Sequence, residues 1–241
     1  MIHIFKVIVV LCTILFGQSA LASTISNIDE LISMYDSSQC RYCHDDTAPA
    51  WEDSSHSKSV INPDVIKAVN STIARSAKNE SRSTIRKCFS CHAPQVSHAS
   101  DTLIDHIAAL IVNAANDISS ERKNNAQDKL SQLRINCRIC HMMKGMPDNR
   151  AESNTVWGPG WDEHEHSHYE EYGFDTLKSD YLTSAQFCKS CHKGYEHQFP
   201  GSEKLIAQVT CVKNDAAAKN CQDCHIDIDH SFSRTKPSAQ K

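Results

Sequence analysis

The chain has 241 residues, with 25 Lys and Arg against 29 Asp and Glu, so its formal net charge at pH 7 is −4. This surplus of negative charge argues against a nucleic-acid partner, because phosphate backbones are bound through clusters of Lys and Arg. Aromatic residues make up only 7% of the chain, whereas it contains 12 Cys and 14 His. Such a composition indicates that a bound cofactor supplies part of the apolar core.

The chain begins like a secretory signal peptide. Lys6 precedes an apolar run at 7–16, and the residues at 20–22, ALA, suit cleavage before Ser23. We therefore expect residues 1–22 to be removed and the mature protein to be periplasmic or extracellular. The apolar run is too short to cross a bilayer and no later stretch approaches about 20 apolar residues, so we expect no transmembrane segment in the mature chain.

Helical periodicity follows in several segments after the predicted signal peptide. Residues 26–35, SNIDELISMY, place their apolar side chains on one face, with Ser26 and Asp29 as a predicted capping pair. The segment NPDVIKAVNSTIAR has Asn62 as its predicted N-cap and Pro63 at the first helical position. Both segments are predicted to be helices.

A third helix is predicted at 101–115, DTLIDHIAALIVNAA, where His106 falls outside the apolar stripe. Nothing in the chain alternates as a strand does, so the predicted fold is mostly α with long loops. The stripe of this helix consists of Leu103, Ile107, Leu110, Ile111 and Ala114.

A Cys-x-x-Cys-His pattern occurs five times, although shuffling this composition would produce roughly 0.03 copies. In this pattern the two thiols form thioethers with a haem and the histidine ligates its iron. Cysteines at i and i+3 lie on one side of a helical turn, and the histidine at i+4 then sits under the ring. We therefore expect five covalently attached c-type haems. The attachment cysteines are Cys40, Cys43, Cys88, Cys91, Cys137, Cys140, Cys188, Cys191, Cys221 and Cys224, and the ligating histidines are His44, His92, His141, His192 and His225.

Zinc and disulfides are the alternatives for paired cysteines. Zinc gives no reason for a histidine directly after every pair, and export agrees with haem attachment, which takes place after secretion in bacteria. Outside the motifs and the signal peptide the only cysteine is Cys211. We expect it to be either a buried, inert thiol or one that pairs between chains.

Each iron has a sixth coordination position, and the mature chain has eight histidines outside the motifs. Filling every position with histidine would favour a low potential and electron transfer over catalysis. Three of the eight, His164, His166 and His168, lie in the acidic segment WDEHEHSHYEE, where we expect one to be a ligand. The other candidates are His56, His98, His106, His197 and His230.

The motifs begin at positions 40, 88, 137, 188 and 221, without a Gly/Ser linker or low-complexity stretch between them. We therefore expect one haem domain at 23–232, followed by a polar tail at 233–241.

The stretch CRYCHDDTAPAWEDSSH, residues 40–56, resembles the start of the tetrahaem cytochrome that accepts electrons from hydroxylamine oxidoreductase. In that family a later histidine ligates the iron of a different motif and locks adjacent haems into a stack. The resemblance implies that His56 is a distal ligand of another haem, such as the one attached at Cys137 and Cys140.

Further segments resemble larger multihaem cytochromes of respiratory and metal-reducing bacteria. They are CFSCHAPQV, LRINCRICHMMKGM, SAQFCKSCH and NCQDCHIDIDHSF. This resemblance implies a compact multihaem cytochrome c domain organised around a stack of five haems, with His168 and His230 as distal ligands. Pentahaem nitrite reductases bind their catalytic haem through CxxCK, whereas all five motifs here end in His, which weakens an enzymatic reading.

The expected function is therefore electron transfer in bacterial, anaerobic respiration by an exported pentahaem c-type cytochrome, with no catalytic residues. Its expected partner is a redox protein, either a membrane quinol oxidase or another cytochrome. Two alternatives stay open. One is a subunit of an extracellular or outer-membrane electron conduit, and the other is a multihaem reductase of nitrogen or sulfur oxyanions with one five-coordinate haem.

Overall fold

The computed structural model describes residues 24–116, 119–145, 155–158, 166–192 and 230. Within these ranges the chain is mostly helical, as the periodicity predicts. The predicted signal peptide, Cys211, His164, His197 and the fifth motif lie outside the described residues.

In the described part of the chain, six α-helices precede the third motif. They are α1 at Ile28–Met34, α2 at Thr47–Asp53, α3 at Pro63–Ile73, α4 at Lys78–His92, α5 at Asp101–Ala115 and α6 at Ser120–Ser131. Short 3-10 helices at Ser38–Tyr42 and Pro94–His98 follow α1 and α4.

The helix starts follow local capping chemistry. Asn62 caps α3 by accepting a hydrogen bond from the N–H of Asp64, as predicted. The cap of α1 is Asn27 and not the predicted Ser26, because the shorter Ser26 side chain donates instead to the hydroxyl of Ser100. The first helix therefore begins close to the predicted residue with a different cap.

The core lies where α3, α4, α5 and α6 pack together with α1. Four residues of the predicted α5 stripe are buried and Leu110 is half-buried, while Ile104, outside the prediction, is fully buried as well. Each fully buried Leu, Ile or Phe contributes about 1.5–3 kcal/mol. The side chains with at most 1% exposure include Leu31, Ile85, Phe89, Leu103, Ile104, Ile107, Ile111, Leu130 and Leu133.

An ion-pair cluster holds α4 against α5. The Arg82 guanidinium donates to both carboxylate oxygens of Asp105, at 2.7 and 2.6 Å, and to Asp101 at 2.9 Å. Lys78 also lies 3.0 Å from Asp105. Two-pronged contacts of this kind fix the relative orientation of two helices better than a single ion pair does.

Two short strands, which the sequence analysis did not predict, lie beyond the third motif. β1 at Thr155–Gly158 pairs in parallel with β2 at Asp175–Lys178, with Thr155 opposite Asp175. Helix α7 at His166–Tyr172 precedes β2, and α8 at Ala185–Lys189 carries the fourth motif. Four-residue strands are too short to show a period-2 pattern, which explains why they were missed.

Across the described ranges, no helix has both the length and the apolar character that a membrane crossing requires.

Candidate haem sites

The four described motifs are helical turns, as their spacing predicts. In the first, the N–H of His44 donates to the carbonyl of Cys40 at 3.0 Å, and His192 makes the same contact with Cys188 at 2.8 Å in the fourth. The second motif forms the last turn of α4, and the third leads into a π-helical turn at Ile139–Met143. No disulfide joins the eight cysteines of these four motifs.

Three motif histidines face a second histidine from a remote part of the chain. The ring centroids lie 6.0 Å apart for His44 and His168, and the two rings are tilted by 18°. The His56 and His192 centroids are also 6.0 Å apart, at 73°. The third pair, His141 and His230, lies at 6.1 Å and 26°.

These separations fit an iron between the two rings. A metal-to-imidazole bond is about 2 Å and a ring centre lies about 1 Å behind its nitrogen, so two axial imidazoles place their centroids about 6 Å apart. The residues present therefore suit a haem iron with histidine on both faces.

The structure pairs His56 with the fourth motif and not with the third, which the resemblance had offered as an example. Burial, together with the neighbouring His192, lowers the pKa of His56 to about 4. The ring is therefore neutral at neutral pH, and its nitrogen lone pair can bind a metal. The predicted ligands His168 and His230 lie opposite the first and third motifs, respectively.

Backbone carbonyls orient two of the motif histidines. Nδ1 of His92 lies 3.0 Å from the carbonyl oxygen of Ser59, and Nδ1 of His141 lies 2.8 Å from that of Trp157. Burial lowers the pKa of both rings, so each is neutral and donates its Nδ1–H to the carbonyl. This arrangement leaves Nε2 for a metal and is the usual outer support of a ligating histidine.

The remaining histidine candidates are less clearly placed at a site. His98 lies in the 3-10 helix after α4, with its ring 6.0 Å from that of Tyr35. His106 is exposed on α5. Among the described residues no histidine ring pairs with His92, so the described part of the chain assigns no distal histidine to the second motif.

Contacts between thiols connect the motifs to one another. The Cys40 and Cys137 thiols lie close enough that their interaction raises the pKa of Cys40 and lowers that of Cys137, which places the first motif beside the third. The Cys91 thiol likewise raises the pKa of Cys191, which places the second motif beside the fourth.

The third motif also adjoins the fourth. Burial, together with the neighbouring Cys137 and Cys188 thiols, raises the pKa of Cys140 to about 12. The described attachment sites therefore form a continuous series in the order first, third, fourth, second. This spatial order differs from the order of the motifs along the chain. The spacing of the motifs in the sequence does not predict it.

Polar residues that the sequence analysis did not single out hold these turns in place. Asn136 donates its side-chain N–H to the carbonyl of Tyr35 at 2.8 Å and accepts from the N–H of Ile139 at 3.1 Å, which ties the third motif to the end of α1. Ser59 donates to the carbonyl of His92 at 2.8 Å and accepts from the N–H of Ile135. These partners are remote in sequence, so no local pattern marks them.

Comparison with protein families gives a match to part of the chain. The family model described as cytochrome c554 and c-prime matches residues 39–115, about a third of the chain. Comparison with curated proteins and with solved structures gives no match. The matched segment contains the first two motifs and His56. It supports a c-type cytochrome, a protein that holds covalently bound haem and exchanges electrons with a redox partner.

Proposed function

We propose that this chain is an exported pentahaem c-type cytochrome that transfers single electrons in bacterial respiration. The observation that carries the proposal is the set of three histidine pairs, each with one motif histidine and a centroid separation of 6.0–6.1 Å. The family match over residues 39–115 supports the c-type cytochrome class. The five motifs in the sequence support the number of haems.

Histidine on both faces favours electron transfer over substrate chemistry. When bound, each haem iron supplies a one-electron couple whose potential depends on its axial ligands, burial and hydrogen bonding. His168, His56 and His230 would fill the sixth position at the first, fourth and third motifs. A small molecule would then have no open position at those three sites.

The contacts between thiols support transfer from one site to the next. Cys40 and Cys137, Cys140 and Cys188, and Cys91 and Cys191 bring neighbouring attachment points together. Because the thiols hold the edges of their cofactors, adjoining thiols bring the cofactor edges together as well.

The proposal includes export through cleavage after Ala22, a single haem domain at 23–232 and a location in the periplasm or outside the cell. These rest on the first 22 residues and on the compartment in which haem attachment takes place. A membrane quinol oxidase or another cytochrome is the proposed partner.

Intact mass and the optical spectrum of the secreted protein test the proposal. We expect the mass of the chain from Ser23 to Lys241 plus five haems, and a low-spin ferric spectrum for at least the three sites with paired histidines. Fewer than five haems would show that a motif is not used. A high-spin spectrum at most sites would contradict the histidine pairs.

A reductase is the second candidate, and it rests on His92. In the described part of the chain this motif histidine faces no second histidine ring, and the candidates His164 and His197 lie outside that part; a reductase requires that none of them fills the position opposite His92. Carbon monoxide binding to the reduced protein separates the two functions. Binding at one haem in five would favour the reductase, whereas no binding would leave electron transfer alone.

A further inference from the structure

The surface around the first motif combines exposure, aromatic side chains and negative charge. Cys43 is the one exposed thiol among the eight described motif cysteines. Its neighbour Tyr42 lies between the two attachment cysteines and is 78% exposed. A cofactor attached here therefore has its thioether edge closer to solvent than at the other three described motifs.

Helix α7 brings two more tyrosines to the same place. The centroid of its His168 ring lies 6.0 Å from that of His44 in the first motif, and Tyr172, four residues later, lies on the same face of the helix as His168. Tyr169 is 62% exposed and Tyr172 is 36% exposed. Burial raises the pKa of Tyr172, and the nearby Cys43 raises it further, which agrees with a position beside the motif.

Acidic residues surround these tyrosines. Asp45 and Asp46 directly follow His44, Glu170 and Glu171 lie on α7, and all four are exposed. Described basic residues near this set include Arg41, which pairs with Glu52 at 3.0 Å, and Arg138, whose guanidinium lies 5.0 Å from the ring centroid of Phe174 beside Tyr172. The four carboxylates outnumber the single charge of Arg138. The surface is therefore negative around an aromatic centre.

We propose that Tyr42, Tyr169 and Tyr172, with the four surrounding carboxylates, form the docking surface for a redox protein that carries basic residues around its own exposed cofactor edge. We call this set the tyrosine surface. The inference rests on the proposed electron-transfer function and adds the site of exchange and the charge of the partner.

The chemistry of the surface matches a short-lived complex. Tyrosine supplies contact area at low entropic cost and is enriched among the residues that dominate binding energy. Surrounding charges act mainly on the association rate and on its dependence on salt. Electron-transfer complexes are also among the smallest protein interfaces, below about 1,200 Å² in total, so three tyrosines form a substantial part of one side.

The test uses the haem-loaded secreted protein, with a small monohaem cytochrome c whose haem edge is ringed by lysines as the probe. One variant carries Glu170→Gln and Glu171→Gln, and a second carries Tyr42→Ala and Tyr169→Ala. The matched control carries Glu121→Gln and Asp128→Asn, which change two exposed carboxylates on α6. Intact mass and optical spectra establish that all variants are fully loaded.

Stopped-flow electron exchange with the probe is followed across a salt series. We expect the Glu variant to lose about tenfold in rate at low ionic strength and to show a flatter salt dependence, because steering by charge is screened within about 10 Å at 0.1 M salt. We expect the Tyr variant to bind the probe about tenfold more weakly, with the salt slope of the parent. The α6 control should match the parent.

Two results would overturn the docking surface while leaving the proposed function intact. One is that the parent protein is reduced by dithionite and exchanges electrons with the probe, and that the Glu variant and the Tyr variant do so at the same rates as the parent. The other is concentration-dependent dimerisation that the Tyr variant abolishes, which would assign the surface to a second copy of the chain. A fully loaded protein that exchanges electrons with neither dithionite nor the probe would refute the proposed function and the docking surface together.

Discussion

Replacing Gly145 by alanine perturbs the support of the third haem site at a single point. A β-carbon on residue 145 would lie 2.6 Å from Cβ, 2.7 Å from Cγ and 2.8 Å from Cδ1 of Trp157. Ordinary carbon–carbon contacts are about 3.5–4.0 Å, so one of the two residues must move by about 1 Å. The overlap involves Cβ and the ring atoms next to it in Trp157. These atoms cannot rotate out of the way as the end of a flexible side chain could.

Neither residue is free to move. The carbonyl of Gly145 accepts a hydrogen bond from the Ser179 hydroxyl at 2.7 Å, and Trp157 lies in β1 with its carbonyl 2.8 Å from Nδ1 of His141. Overpacking of this kind costs about 1–3 kcal/mol. For a chain of this size that corresponds to a fall in Tm of about 2–12 °C. A displaced Trp157 carbonyl would also weaken its bond to His141 and raise the potential of that haem, because the bond increases the basicity of the ligand.

Thermal unfolding and a spectroelectrochemical titration of the loaded protein measure both effects. A double-mutant cycle with Trp157→Ala identifies the cause, because without the indole the added methyl group at position 145 has room and should cost little. The reasoning would be refuted if Gly145→Ala left Tm and all midpoint potentials unchanged. It would also be refuted if the cost were the same in the Trp157→Ala background.

Three other predictions concern the core, the fourth site and acid stability. Leu103→Ala should reduce the free energy of unfolding by about 2–5 kcal/mol, because Leu103 is fully buried and its removal leaves a cavity; denaturant unfolding measures this. His56→Ala should leave every haem attached but open the position opposite His192, giving a high-spin signal and new carbon monoxide binding. Asp105→Asn should lower Tm at pH 7. The hydrogen bonds from Arg82 hold the pKa of Asp105 below its ordinary value near 4, so this stabilisation is present above about pH 4 and is lost as the pH falls further.

Matched controls separate these effects from general damage. Leu177→Ala removes an exposed leucine and should change the free energy of unfolding by less than about 0.5 kcal/mol. His106→Ala removes an exposed histidine and should leave the spectrum unchanged. For Asp105→Asn, the Tm difference from the parent should shrink from pH 7 towards pH 2. A difference that persists undiminished at pH 2 would exclude the carboxylate as its cause.

Local chemistry made the motifs and three of the helices predictable from the sequence. The contacts within a CxxCH turn join residues three or four positions apart, so the spacing of Cys40, Cys43 and His44 already implies the turn. Asn62 before Pro63 is likewise a local start signal, and the structure confirms it. Periodicity also identified Leu103 and Ile107 as core residues, although it missed Ile104.

The pairing of histidines and the order of the sites depend on tertiary structure. His56 lies 12 positions after His44, yet packing places it opposite His192, 136 positions further along the chain. Only the folded chain shows that the carbonyls of Ser59 and Trp157 accept hydrogen bonds from His92 and His141. Any residue can supply a backbone carbonyl, so the sequence does not mark these two. The sequence therefore determined which residues can attach and ligate a cofactor. The packing of the helices decided which of these residues meet, because spacing constrains residues that are neighbours along the chain and does not constrain residues that folding brings together.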